Sequence, residues 1–163
     1  MMRISELQSY TSLKKLEAAG FDITKSLDGQ QAIVCAKLLG SIGYASIWET
    51  TPLCYAAELG DVALIKDLCA HGANVNVRDD DGYSPLLLAV REGRAEAVKV
   101  LIELGADQTY SNTRSHRHKS PAYMLDEGRC THGFFHTQYE KWIAGRDVNY
   151  DKTESYLQKP KIT

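Results

Sequence analysis

The 163-residue sequence has no excess of one charge: 19 Lys and Arg stand against 21 Asp and Glu. A formal net charge of -2 argues against nucleic acid, a membrane surface or an acidic ligand as the general partner. Long apolar runs are missing too. The longest, 32–48, is broken by Lys37, two glycines and two serines and falls short of the roughly 20 residues a membrane helix needs. Glu6 and Gln8 occupy the place where an export signal would carry its apolar stretch, so the expected location is cytoplasmic, with secretion by a signal-independent route left open. The four cysteines, Cys35, Cys54, Cys69 and Cys130, form no CxxC pair and no secreted-type framework, and they read as reduced thiols. No Gly-rich phosphate loop, nucleophile elbow, zincin pattern or catalytic cysteine motif is present. Gly40-Ser41-Ile42-Gly43 lacks the lysine and the spacing of a phosphate loop and reads as a turn. The expectation is therefore a chain without catalysis and without a cofactor.

What the sequence does have is ordinary globular composition, 44% apolar and 25% charged, in a length suited to one core. It also has an internal repeat. Thr51-Pro52-Leu53-Cys54-Tyr55-Ala56-Ala57 recurs 33 residues later as Ser84-Pro85-Leu86-Leu87-Leu88-Ala89-Val90, and Gly60, Gly72 and Ala73 recur as Gly93, Gly105 and Ala106. Segments 51–78 and 84–111 agree at eight of 28 positions, where average composition gives about two by chance.

Each unit has a physical reading. Thr51 or Ser84 caps a helix with its hydroxyl, and the following proline sits at the first helical position, where no backbone donor is missed. Gly60 or Gly93 stops that helix after about two turns. A second helix follows, with Leu64, Ile65 and Leu68 in one unit and Val98, Leu101 and Ile102 in the other at the spacing of a buried stripe. Gly72 or Gly105 ends it, and a polar turn region follows in which Asp81-Gly82 is the strongest turn signal.

Thr51-Pro52-Leu53, Ala56-Ala57, Gly60, Gly72-Ala73-Asn74-Val75-Asn76 and Asp79-Asp80-Asp81-Gly82 resemble an ankyrin repeat, and 79–111 matches the same pattern as 46–78. The resemblance implies an all-α solenoid of helix-turn-helix units with β-turn fingers, about four helix pairs in length. Cys54 and Leu87 stand where the family usually has histidine, and Asp67 where it prefers leucine. Loss of those histidines implies a stack somewhat softer than a consensus one.

Such stacks need three or more units with polar caps, so the flanks are expected to complete the array. Leu13, Leu16 and Ala19 lead into Gly20-Phe21-Asp22-Ile23-Thr24 like the end of a repeat, and Ala32, Ile33, Ala36 and Leu39 form a stripe closed by Gly40. Ser120-Pro121-Ala122 restarts the pattern 36 residues after Ser84. The expected plan is one domain over 1–145: a cap and degenerate repeat at 1–50, two regular repeats at 51–111, and a degenerate cap repeat at 112–145. In the last of these, a partner helix near 134–144 would bury Phe135, Tyr139, Trp142 and Ile143. Residues 146–163 are polar and are expected to form a frayed tail.

The resemblance further implies a protein-interaction module, a monomer on its own, whose first helices and turn tips line a concave binding face. The candidate partner-binding residues are Trp48 and Glu49 in the first turn, Asp79, Asp80, Asp81 and Tyr83 in the second, and Arg114, His116 and Arg117 in the third. Tyr55, Glu58, Arg91 and Arg94 come from the first helices. An acidic middle tip beside a basic next tip calls for a partner of complementary charge. The same resemblance is compatible with an adaptor, with a small bacterial immunity or inhibitor protein, or with an effector acting on a toxin, enzyme or host protein. One alternative of another class remains, a metal site in the cluster His116, His118, Cys130, His132 and His136, with Cys130, His132 and His136 as its weak candidate ligands. The blander reading, a solvated loop and a small core thiol, is preferred.

Overall fold

The computed structural model describes residues 13–28, 30, 31, 34, 35, 50–114, 119–134 and 148–157, with 130–134 described by backbone alone. Both regular units open as their caps require. Thr51 accepts the Cys54 N–H at 3.3 Å and starts helix α1 (Pro52–Leu59). Ser84 accepts the Leu87 N–H at 3.3 Å and starts helix α3 (Pro85–Arg91). Gly60 ends α1 in the left-handed conformation, φ 75°, which a side chain would strain. Asp61 then caps helix α2 (Val62–Ala70) by accepting the Leu64 N–H at 3.0 Å, whereas helix α4 (Ala95–Glu103) of the second unit starts after Arg94 with no side-chain cap. Leu64, Ile65, Leu68, Val98 and Leu101 are fully buried, as the stripes demand, and Ile102 is half-buried against the same core.

A third inner helix, α5 (Pro121–Phe134), begins at Ser120-Pro121, and a short helix, α6 (Tyr150–Tyr156), lies near the C-terminus. The helices form two rows. In the inner row α1 packs on α3 and α3 on α5, while in the outer row α2 packs on α4 and α4 on α6. Each inner helix also packs on its own outer partner, α1 on α2, α3 on α4 and α5 on α6. Among the described residues there are no strands, only two isolated bridges, Leu27 with Thr50 and Asn112 with Lys119. No helix among them is long and apolar enough to cross a membrane.

At the C-terminal side one expectation is corrected and another falls almost wholly outside the described residues. The first helix of the third unit runs through Phe134, where a partner helix was expected to begin, and 135–144 otherwise lie outside the described residues. The supposedly frayed tail instead supplies α6, which takes the outer-helix place beside α4. Asn149 caps α6 by accepting the Lys152 N–H at 2.9 Å, Thr153 is buried, and Tyr150, Tyr156 and Leu157 pack on the main core.

On the N-terminal side residues 13–18 are helical, with Leu13 and Leu16 buried, and Gly20 has a left-handed φ of 79°. Leu16, Leu27, Cys35 and Tyr55 form a small second core. The expected stripe Ala32, Ile33, Ala36 and Leu39 lies outside the described residues.

The fingers are tied together without the missing histidines. Tyr110 Oη donates to the Gly82 carbonyl at 2.7 Å, Asn112 Nδ2 to the Asp81 carbonyl at 2.8 Å, and the Arg114 guanidinium to the Asp80 carbonyl. Arg78 lies 3.8 Å over the Tyr110 ring. Nearer the outer helices, Asn76 accepts the Asp107 N–H at 2.8 Å and donates to the Gly105 carbonyl at 3.3 Å. Such side-chain bridges satisfy turn carbonyls that would otherwise be left to water.

Candidate partner-binding surface

The inner row and the fingers bring together part of the expected surface and withdraw part of it. Equivalent positions of α1, α3 and α5, at offsets of 33 and 36, are Glu58, Arg91 and Glu127, a row of alternating charge. Arg91 Nη2 meets Glu58 Oε1 at 3.0 Å, and its Nε meets Glu92 Oε1 at 2.9 Å. Burial pushes the Glu58 carboxyl upward against the pull of Arg91. Burial also works against the Arg91 charge, but Glu92 and Glu58 outweigh it and hold the guanidinium above its ordinary range. The ion pair is half-buried, so it contributes more to register than an exposed pair does.

Tyr83 stands beside this row. It is half-buried and packs against the core, with the Arg91 guanidinium 5.8 Å and the Lys119 ammonium 5.4 Å from its ring centre. Lys119 in turn meets Glu127 at 3.0 Å and lies 5.9 Å from the Tyr123 ring. Lys119, Tyr123 and Glu127 belong to this surface, although the sequence reading did not name them. Their signal was present, because Lys119 precedes Ser120-Pro121 as Tyr83 precedes Ser84-Pro85, and Glu127 takes the place of Arg91.

The middle finger is built around Asp79. Its carboxylate accepts the Tyr83 N–H at 2.7 Å, its own N–H donates to the Tyr83 carbonyl at 3.0 Å, and its carbonyl accepts from Gly82 at 2.9 Å. Asp79 is half-buried, and burial pushes its carboxyl up to about 6. Asp80 and Asp81 are exposed at the tip, while their carbonyls are held by Arg114 and Asn112. The acidic and basic tips therefore touch, and Arg114 is bound to the neighbouring turn.

Two nominated residues are not surface residues. Tyr55 is 2% exposed, because the small second core closes over it. Arg94 is also 2% exposed: its stem lies over Gly60, where a Cβ would be 2.8 Å from Arg94 Cδ, and its Nε donates to the Glu58 carbonyl at 3.1 Å. Trp48, Glu49, His116 and Arg117 lie outside the described residues. So do His118 and His136 of the metal cluster and the side chains of Cys130 and His132. Among the described residues no group of three His, Cys, Asp or Glu is placed to hold a metal. Cys35, Cys54 and Cys69 are free thiols, and burial pushes Cys35 and Cys54 up to about 12, which keeps them unreactive.

The Tyr55 hydroxyl is buried and finds no hydrogen-bond partner among the described residues. Tyr55→Phe is therefore expected to leave the fold intact and to raise its stability by about 1 kcal/mol. Thermal melts of the two chains check this, and a clearly lower midpoint for the variant contradicts it.

A family model described as ankyrin repeats, three copies, matches residues 10–112. The chain belongs to the ankyrin-repeat family. The match takes in the degenerate N-terminal unit as well as the two regular ones. Among curated relatives, the 26S proteasome non-ATPase regulatory subunit 10 of Dictyostelium discoideum is 40% identical over 62 residues, which is 36% of this chain and 26% of that one. Protein phosphatase 1 regulatory subunit 27 of Mus musculus is 36% identical over 53 residues, 32% of this chain and 34% of that one. The ankyrin chain thus spans about a third or less of the length of these relatives. Among solved structures, that of the human ASB11 ankyrin repeat domain matches with a TM-score of 0.48 and 23% identity, covering 76% of this chain and 48% of that one.

Proposed function

We propose that this ankyrin chain is a non-catalytic module that binds another protein through its concave inner row and finger tips. The observation that carries the reading is the half-buried side-chain row Glu58, Arg91 and Glu127 on the inner helices, with Tyr83 and Lys119 from the turns before them beside it. Aromatic and arginine side chains already held in place lose little freedom when a partner covers them. Two curated relatives carry the name of regulatory subunits, one of the proteasome and one of a phosphatase, which supports a role beside another protein.

Asp80 and Asp81, exposed at the middle tip, would steer a partner with a basic contact region. The test begins with capture of partners on the immobilised chain from native lysate, followed by kinetics with the partner found. Replacing Asp80 and Asp81 by serine is expected to slow association about tenfold at low salt and to flatten its salt dependence. Asp79 is left in place because it holds the turn. Replacing Lys66 and Glu103 on the outer helices, both exposed, is expected to change nothing. A partner whose binding depends on the outer pair and ignores the tip pair would overturn the reading.

A further inference from the structure

The residues from Arg91, the last of α3, to Arg94, just before α4, are tied to the preceding unit and to α6. Toward the first unit, the Arg91 side chain meets the Glu58 carboxylate, and Arg94 Nε donates to the Glu58 carbonyl. One residue of α1 therefore holds both flanks of the turn. Toward the C-terminus, the Arg91 carbonyl accepts the Tyr150 hydroxyl at 2.9 Å and the Gly93 carbonyl accepts the Asn149 N–H at 2.9 Å. The Arg91 carbonyl belongs to the last turn of α3 and its direction follows that turn, while the Gly93 carbonyl also accepts the Ala95 N–H at 3.1 Å.

Beside the packing of Tyr150, Tyr156 and Leu157 on the core, α6 is held by charged contacts. Arg129 meets Asp151 at 2.9 Å and Glu154 at 2.8 Å, Lys152 meets Glu96 at 2.5 Å, and Lys99 lies 6.0 Å from the Tyr156 ring. The ion pairs are at the surface, where such pairs hold weakly. A seven-residue helix held in part by such pairs is expected to open locally more readily than the core helices.

We propose that the 91–94 turn couples the concave face to the C-terminal helix, so that disturbing the Glu58–Arg91 pair loosens α6 and releasing α6 weakens that pair. The side chain of Arg91 faces the binding row and its carbonyl faces α6, so one residue reads both. Coupling between two sites is reciprocal, which gives two independent readouts. A regulatory use of the coupling rests on the binding face proposed above, but the coupling itself needs no partner. A chain that binds nothing on its concave face would still show it.

The test is native-state hydrogen exchange on the full chain, comparing wild type with Glu58→Gln, which keeps the shape and removes the charge. The expected result is about fivefold faster exchange at 150–156, with the buried amides of Val98 and Leu101 in α4 unchanged. The reciprocal arm uses Tyr150→Phe, which removes a single oxygen and is expected to fold. In that variant the Glu58 carboxyl, followed by carbon-13 NMR, is expected to titrate at higher pH than in the wild type. Two results would overturn the proposal: unchanged exchange of α6 in Glu58→Gln while Lys152→Ser speeds it, or a uniform acceleration of α4 and α6 together. If Glu58→Gln fails to fold, an unmoved Glu58 titration in Tyr150→Phe overturns it alone.

Discussion

Gly128→Ala is expected to destabilise the ankyrin stack by about 3 kcal/mol, the opposite of what the same change does in most helices. In a helix interior alanine is ordinarily better than glycine by about 1 kcal/mol. Here a Cβ would lie 2.1 Å from the Arg91 carbonyl oxygen and 2.8 Å from Tyr150 Cε1. Neither neighbour can yield cheaply. The Arg91 backbone closes α3 and its side chain is held by the Glu58 and Glu92 pairs, while the Tyr150 ring is fixed by its own hydroxyl on that same carbonyl. α5 would have to draw back from α3, thinning an apolar interface that buries Met124 and Leu125. Urea denaturation of the two chains measures the difference, and the loss should appear together with weaker protection of 148–157. A variant as stable as wild type would mean that α5 does not approach α3 this closely.

The parts of this fold that were legible in the sequence are those whose cause is local. A hydroxyl cap followed by proline, a glycine two turns on, and an aliphatic stripe lie within one unit, so α1 to α4 could be placed from Thr51, Ser84, Gly60 and Gly93 without any long-range information. α6 was missed because its cause is distant. Its face is Tyr150, Thr153, Tyr156 and Leu157, with a single leucine where an aliphatic stripe was sought, and its anchoring carbonyl on Arg91 is 59 residues away. The Asn149 cap and the three-residue spacing of that face were nonetheless visible in the sequence.

The candidate surface was legible in a similar, partial way. Overlaying the repeats brings out Glu58 with Arg91 at once, and extending the overlay by the three inserted residues adds Glu127 and Lys119. Arg94 misled because an arginine after a turn glycine looks solvated. Its burial depends on Gly60 of the preceding unit, which leaves room for the stem. Tyr55 misled because the flank that covers it, Leu16, Leu27 and Cys35, has no regular spacing from the repeat it packs on.

Asp79→Asn is expected to raise stability by about 2 kcal/mol at pH 7.5 and to lose that advantage in acid. The Asp79 carboxyl sits at about 6 where 3.8 is ordinary, first because of burial and next because of Asp81, while the Tyr83 N–H and the Arg91 guanidinium pull the other way. A folded-state value above the unfolded one means that the folded chain holds the proton more tightly. The stability gained from that proton is complete below about pH 3.8 and is lost as pH rises through about 6. Glu58, also raised by burial, slopes the same way. Asp22, lowered to about 2 chiefly by the Thr24 hydroxyl, slopes oppositely and loses its contribution as pH falls below its ordinary value. Asparagine keeps an oxygen for the Tyr83 N–H and removes only the desolvated charge, while Arg91 retains Glu58 and Glu92. Wild-type and variant urea curves should therefore separate at pH 7.5 and converge near pH 4, whereas a variant that is weaker at pH 7.5 would show that attraction to Arg91 outweighs the cost of burial. A carboxylate held at such a cost at the base of the finger proposed to meet a partner is a position where binding and stability trade against each other.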